Sequence, residues 1–195
     1  MPMKSYLNNY LLKLSSSETD ISFFSVTCRY GKFTVYCIIG PEENIVHLTL
    51  ASGKHLKVLK QLSGISPNIH VRDLPQKDFS YNSVFRDYFS GTLSDFPIEV
   101  DSPFLEAGTD FQKKVWRCIK TVPYGSSLTY QQLAELAGSS KGARAAGTAC
   151  GANPIALIIP CHRIVAMNGL GGYAGGIANK KALLGLEHIG DDTVK

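Results

Sequence analysis

No apolar run in this chain approaches the ~18 residues that a membrane-spanning helix needs. That argues against a spanning helix. Cysteine is scarce: five in 195 residues, at 28, 37, 118, 150 and 161, an odd number with no CxxC pair. That excludes a disulfide framework and a zinc knuckle, and favours a reducing compartment. The first twenty residues, MPMKSYLNNYLLKLSSSETD, lack both a long apolar core and a small-residue cleavage site, so no secretory signal is expected. Low-complexity tracts are missing too. With 44% hydrophobic and 18% charged residues, the composition is that of a globular protein with one large domain or two small ones.

The net charge of +4 is modest but unevenly placed: residues 1–100 carry ten basic and nine acidic side chains, residues 101–190 nine and five. A basic second half permits nucleic-acid binding without establishing it. Residues 21–51 read as a three-strand antiparallel meander (ISFFSVTCRY, KFTVYCIIG, NIVHLTLA), with turns at Gly31 and at Gly40 to Asn44. In the second strand Phe33, Val35, Cys37 and Ile39 share a face. A helix is predicted over about 54–63 with Leu56, Leu59 and Leu62 inward, and another over about 78–90 with Val84, Phe85, Tyr88 and Phe89 inward. His47, His55 and His70, with Cys28 or Cys37, follow no ligand spacing and read as core or surface residues, so no metal is expected. Pro97 and Pro103 punctuate a boundary that divides the chain into 1–95 and 96–195.

The second unit has clearer signals. Thr109 with Gln112, and Thr129 with Gln132, fit capping boxes that open two helices. After the second of these helices, Gly138 and a small polar turn lead into another over Ala143–Cys150, which is a helix-turn-helix pattern. That last helix holds one long side chain, Arg144, among small ones that include Ala143 and Gly147. Tight packing in a core would explain the small residues. An unpaired buried guanidinium is costly, however, and a nucleic-acid-facing helix with Arg144 as a probe also fits. Residues 155–159 are predicted to be a short buried strand, halted by Pro160 and delivering Cys161, His162 and Arg163. A thiol beside an imidazole and a guanidinium is a candidate nucleophile, because neighbouring positive charge favours the thiolate. GLGGYA at 169–174 formally fits a dinucleotide loop but lacks the strand, helix and acid that such a site needs.

Asn153-Pro154 followed by Ile-Pro-Cys-His-Arg-Ile-Val at 159–165 resembles the active-site signature of the O6-alkylguanine-DNA alkyltransferases. GTDFQKKVW, PYGSSLTYQQLAELAG, ARAAGTAC and GGYAGG extend the resemblance from about Gly108 to His188, whereas the first unit matches only in size and strand–helix order. The resemblance implies an α+β protein. Its N-terminal α/β unit would be ribonuclease-H-like, with a small antiparallel sheet. Its C-terminal unit would be mostly helical and winged-helix-like.

The resemblance also implies the chemistry: irreversible, single-turnover transfer of an alkyl group from O6 of guanine, and from O4 of thymine, to Cys161 after nucleotide flipping. By the same resemblance His162 takes the thiol proton through water, Glu187 orients His162, and Asn153 holds the surrounding turns. Tyr130 donates towards guanine N3. Arg144 enters the base stack while Ala143 and Gly147 let the helix lie in the minor groove, with Thr129 also on the DNA side. Gly172, Tyr173, Ala174 and Ile164 wall the base pocket, with backbone groups near Ile164 and Ala174 on the guanine edge. The implied partner is duplex DNA containing O6-alkylguanine. The protein would be an intracellular monomer, cytoplasmic in a prokaryote or nuclear in a eukaryote, without cofactor or metal. Ala174 and Ala156 replace a Ser and a Pro of some members, which points to a pocket tolerant of larger alkyl groups. The rivals are a non-catalytic alkylated-DNA-binding relative, which would lack the nucleophile, and a thiol hydrolase or redox enzyme, which leaves the helix-turn-helix unexplained.

Overall fold

Alternating β-branched and aromatic residues between turn signals do form three consecutive antiparallel strands. In the computed structural model, which describes residues 20–190, these are β1 (Ile21–Tyr30), β2 (Phe33–Ile39) and β3 (Ile45–Thr49). The reading of the first twenty residues as lacking a signal falls, but for Asp20, outside that range. Gly31 turns the chain between β1 and β2 at φ +55°, a conformation that costs glycine nothing. A fourth strand, β4 (Ile69–Asp73), joins β1 in parallel, so the sheet is mixed and ordered β3-β2-β1-β4. Nothing in the sequence reading marked β4, because only Ile69 of its five residues is buried.

Both faces of the sheet are covered. Ile21, Phe23, Ile38, Val46 and Ile69 pack beneath Val58 and Leu62 of α1 (Ser52–Ser63). On the other face Val26, Cys28, Val35 and Cys37 meet Phe85 and Tyr88 of α2 (Asn82–Phe89), in a core that continues into the second half. Each such side chain contributes roughly 1.5–3 kcal/mol on burial. Of the expected stripe on α1, Leu62 is buried and Leu59 packs at its edge, but Leu56 is 55% exposed and His55 and Val58 point inward instead. His55 can occupy that position because its Nε2 lies 3.1 Å from Ser25 Oγ.

The second half contains α3 (Pro103–Glu106), α4 (Asp110–Lys120), α5 (Tyr130–Leu136), α6 (Ala143–Ala152) and α7 (Ile177–Leu186), with β5 (Leu128–Thr129) parallel to β6 (Ile164–Val165). Both capping boxes form, at Thr109 on α4 and Thr129 on α5. The pair α5–α6 is the predicted helix-turn-helix. Trp116 Nε1 of α4 donates to the Ala149 carbonyl at 2.9 Å, tying α6 to the core.

Residues 155–159 are not a strand. They make one parallel bridge to β3, in which Leu48 N donates to Pro154 O (2.9 Å) and Ala156 N to Leu48 O (2.8 Å). The chain then doubles back, with Ile159 N donating to Ile155 O and Leu157 at φ +70°. Five residues cannot both reverse and stay extended. The bridge covers the edge of β3 and sets the level at which Cys161 emerges.

Candidate active site

Cys161 opens a single 3-10 turn, Cys161–Arg163, directly after Pro160. It is 6% exposed. Asn153, at the end of α6, binds the reversal from inside: its Oδ1 accepts from Ile155 N (3.0 Å) and its Nδ2 donates to Ile159 O (2.8 Å). The same Nδ2 lies 3.2 Å from Cys161 Sγ. An amide N–H aimed at sulfur favours the thiolate over the thiol.

His162 Nε2 lies 2.8 Å from Glu187 Oε1, with both side chains fully buried. A carboxylate can only accept, so Nε2 carries the proton and Nδ1 presents a lone pair. Among the described residues that buried Nδ1 has no hydrogen-bond partner. Burial lowers the His162 pKa, partly offset by Glu187, so the ring rests neutral and able to accept a proton. Glu187 is not the exposed last-turn residue its sequence position permits. Arg163 donates to it through Nε (2.8 Å) and Nη2 (3.0 Å), and Tyr88 of α2 donates at 2.6 Å. Burial alone would raise the Glu187 carboxyl, but hydrogen bonds from His162, Arg163 and Tyr88 pull it down to about 2.

The guanidinium expected to favour the thiolate is therefore committed elsewhere: Arg163 clamps Glu187 and donates through Nη1 to Val122 O (2.6 Å). The positive charge near Cys161 comes from two lysines that the sequence reading did not single out. Lys54 of α1 donates to Gly151 O (3.2 Å) and Asn153 O (2.5 Å). Lys180 of α7 is fully buried and donates to Ile164 O (2.5 Å), Leu170 O (2.6 Å) and Gly172 O (3.2 Å). Burial raises the Cys161 thiol, opposed by the Asn153 hydrogen bond and by both ammonium groups. The resting group is a thiol, so attack requires a base. Lys180 was detectable, since a lysine in register with the buried Leu183 and Leu184 interrupts an apolar stripe. Tyr88 and Lys54 had no signal, being 99 residues from their partners Glu187 and Asn153.

A cleft of about 470 Å³ opens beside the site, lined by Tyr130, Arg144, Gly147, Cys150, Tyr173 and Ala174 among others. Ala143 and Gly172 also line it, whereas Thr129 serves as the cap of α5. Arg144 is exposed, so the packed-core explanation of α6 holds only for its inner side, Ala146, Ala149 and Cys150. The Tyr173 hydroxyl is buried and has no hydrogen-bond partner among the described residues. Two expected contacts are occupied: Tyr130 donates its hydroxyl to Gly172 O (3.0 Å), and the carbonyl of Ile164 is held by Lys180. Ile164 itself is wholly buried behind the cleft. A larger cleft of about 1160 Å³ lies between Arg29–Phe33 and the outer side of α7, but its lining holds no cysteine, histidine or carboxylate.

Among the described residues no three of His, Cys, Asp and Glu are placed to hold a metal. His47 and His55 stack at 6.1 Å, while His70 faces Asp20 at 3.3 Å. Cys28 and Cys37 belong to the opposite face of the sheet.

Residues 110–189 match the model of the 6-O-methylguanine DNA methyltransferase DNA-binding domain. A methylated-DNA–protein-cysteine methyltransferase of Methanosarcina barkeri is 39% identical over 142 residues, covering 69% of this chain and 83% of that protein. The chain belongs to this family. The Mycobacterium bovis member is 48% identical over 101 residues, a match that spans only 59% of that relative's length. The fold agrees more widely. The crystal structure of Mycobacterium tuberculosis O6-methylguanine methyltransferase superposes with TM-score 0.70 at 33% identity, covering 85% of this chain and 92% of that one. A DNA complex of the M. tuberculosis protein gives 0.64.

Proposed function

We propose that this chain repairs alkylated DNA directly, by moving the alkyl group of O6-alkylguanine, and of O4-alkylthymine, onto Cys161. The observation that carries the proposal is the relay behind the thiol: a neutral His162, its Nε2 proton fixed by Glu187, with Nδ1 left unpartnered beside a buried cysteine. The Sγ proton passes to His162 Nδ1 across one water. The sulfur lone pair forms the S–C bond, the C–O6 bond breaks, and its electrons stay on the base. Tyr130 then donates towards guanine N3, which requires its hydroxyl to leave Gly172. The backbone N–H of Ala174 replaces a serine hydroxyl towards O6, and the small Ala174 and Ala156 leave room for larger alkyl groups.

The product is a thioether, without the carbonyl that lets water clear an acyl-enzyme, so each chain reacts once. DNA enters from the α6 side, where Arg144 fills the space of the extruded base in the minor groove. Thr129 holds the start of α5 against the duplex. Two units meeting near residues 95 and 96 divide the work, the second binding DNA and the first supporting it. The protein acts as a monomer wherever the cell keeps its DNA.

Mass spectrometry after mixing the protein with duplex DNA containing O6-methylguanine tests this. One methyl group on Cys161 per chain is expected. An unmodified Cys161, or more than one group transferred per chain, refutes the reading.

A further inference from the structure

A thiol buried this deeply needs compensation when it loses its proton. The titratable groups that interact with Cys161 come from several surrounding elements: Lys54 on α1, Cys150 on α6, Tyr130 on α5, Tyr173 in the loop and Lys180 on α7, while His162 and Arg163 of its own turn are tied to Glu187. Glu187 balances Arg163 through a paired contact. The two lysines are different. Both donate only to carbonyl oxygens, and among the described residues neither pairs with a carboxylate. Lys180 brings a positive charge without a carboxylate partner into a buried region, and Lys54 brings one to a partly buried position, where charge acts at longer range than in bulk water.

Lys54 is the less expected of the two, because it comes from the half of the molecule without any family motif. Its helix α1 follows β3, the strand to which Pro154 is bridged. From there its ammonium reaches the last carbonyls of α6, at Gly151 and Asn153, the negative end of that helix. Asn153 is also the residue whose side-chain amide sits 3.2 Å from Cys161 Sγ. Lys54 thus grips the backbone of the residue that donates to the sulfur, and its own charge lies close by. The other titratable groups around it are His47 on β3 and its neighbour His55, both of which rest neutral through burial.

We propose that Lys54 is a positioning residue for the reaction inferred above: it holds Asn153 in place and stabilises the thiolate of Cys161 by its charge across the boundary between the two halves. The N-terminal half then contributes to reactivity as well as to support. Burial lowers the Lys54 pKa, and a negative Cys161 raises it, so thiolate and ammonium favour one another.

The test compares Lys54→Met, which keeps the stem and removes the charge, with Lys54→Arg, which keeps the charge. The pH dependence of Cys161 alkylation by iodoacetamide is read at the Cys161 peptide, alongside the single-turnover rate on O6-methylguanine duplex and the melting temperature. For Lys54→Met the iodoacetamide profile should move up by about one pH unit, the lower end of the effect of a nearby opposite charge. Methyl transfer at neutral pH should slow about tenfold, since the thiolate fraction falls by that factor. Lys54→Arg should restore most of both. An unchanged profile in Lys54→Met overturns the proposal whatever happens to its melting temperature. If Lys54→Met does not fold, Lys54→Gln, which retains a donor without the charge, answers the same question by the same measurements. The iodoacetamide reaction involves no DNA, so this result stands apart from whether the chain accepts methyl groups from DNA.

Discussion

The two halves of this molecule announce themselves very differently. Residues 110–189 match a family model, open two helices with complete capping boxes, and carry the proposed nucleophile, Cys161, and its proposed base, His162, at adjacent positions. The N-terminal sheet shows only alternation and turns. Yet the buried cluster behind Cys161 includes the Tyr88 hydroxyl from α2 and the Lys54 ammonium from α1. A motif marks where reacting atoms lie close in sequence. It says nothing of charges delivered from a distance, and in a buried site those charges set protonation.

The sharpest way to break this contrast is at Glu187. Replacing it with Ala leaves the Arg163 guanidinium, 3% exposed, with the more distant Asp95, at 3.9 Å, as its remaining carboxylate among the described residues, and breaking a buried pair in this way costs about 3–5 kcal/mol. His162 also loses the partner that fixes its tautomer, so methyl transfer should collapse along with stability. Chemical denaturation and single-turnover assays check both. A variant of near-native stability would show that the clamp is not what holds this region.

The matching test from the N-terminal side is Tyr88→Phe. It removes one of the donors to Glu187 without opening a cavity. Hydrogen bonds to charged groups contribute about 1.5–3 kcal/mol, so the loss should be clear but smaller. The Glu187 carboxyl should rise from its value of about 2. Its depressed pKa contributes stability that is complete above the ordinary carboxylate range and is lost as pH falls towards that value. The acid-induced loss of stability over that interval should therefore be smaller in Tyr88→Phe than in the parent. Identical acid-unfolding curves would mean that Tyr88 merely fills space.

What could be read in advance follows the same divide. Cys161, His162, both capping boxes and the helix-turn-helix were legible because each is a local pattern. The strand predicted at 155–159 failed because apolar content alone does not distinguish a strand from a buried reversal; the deciding interactions are those of Asn153 and the bridge to β3. Arg163 was read as a thiolate partner because it is a sequence neighbour, whereas its geometry commits it to Glu187. Residue β4 pairing and the inward His55 depend on contacts with β1 and Ser25 that no local pattern encodes.

The sheet half also has a pH dependence of its own. His47 is 1% exposed, and burial holds its pKa at about 3; burial lowers that of His55 as well. In the unfolded chain both titrate near the ordinary ~6.5, so below that pH the unfolded state binds more protons and stability falls. The loss should approach about 1.4 kcal/mol per pH unit for His47 between ~6.5 and its folded value. His47→Gln should flatten this slope in urea titrations over about pH 5 to 7. An unchanged slope would assign the acid sensitivity to the active-site half instead.

The smallest expected effect separates folding from DNA contact within α6. A methyl group added at Gly147 would meet nothing nearer than the Tyr130 ring, at 3.7 Å, which is ordinary contact. Folding therefore does not require glycine there, and Gly147→Ala should raise helix stability by up to about 1 kcal/mol. If the helix lies against a groove as proposed, the same methyl group stands between protein and duplex and should weaken binding severalfold. Thermal melting and a binding titration at fixed salt must then move in opposite directions. Should both improve, the small residues of α6 serve internal packing, and the face of this half that meets DNA lies elsewhere.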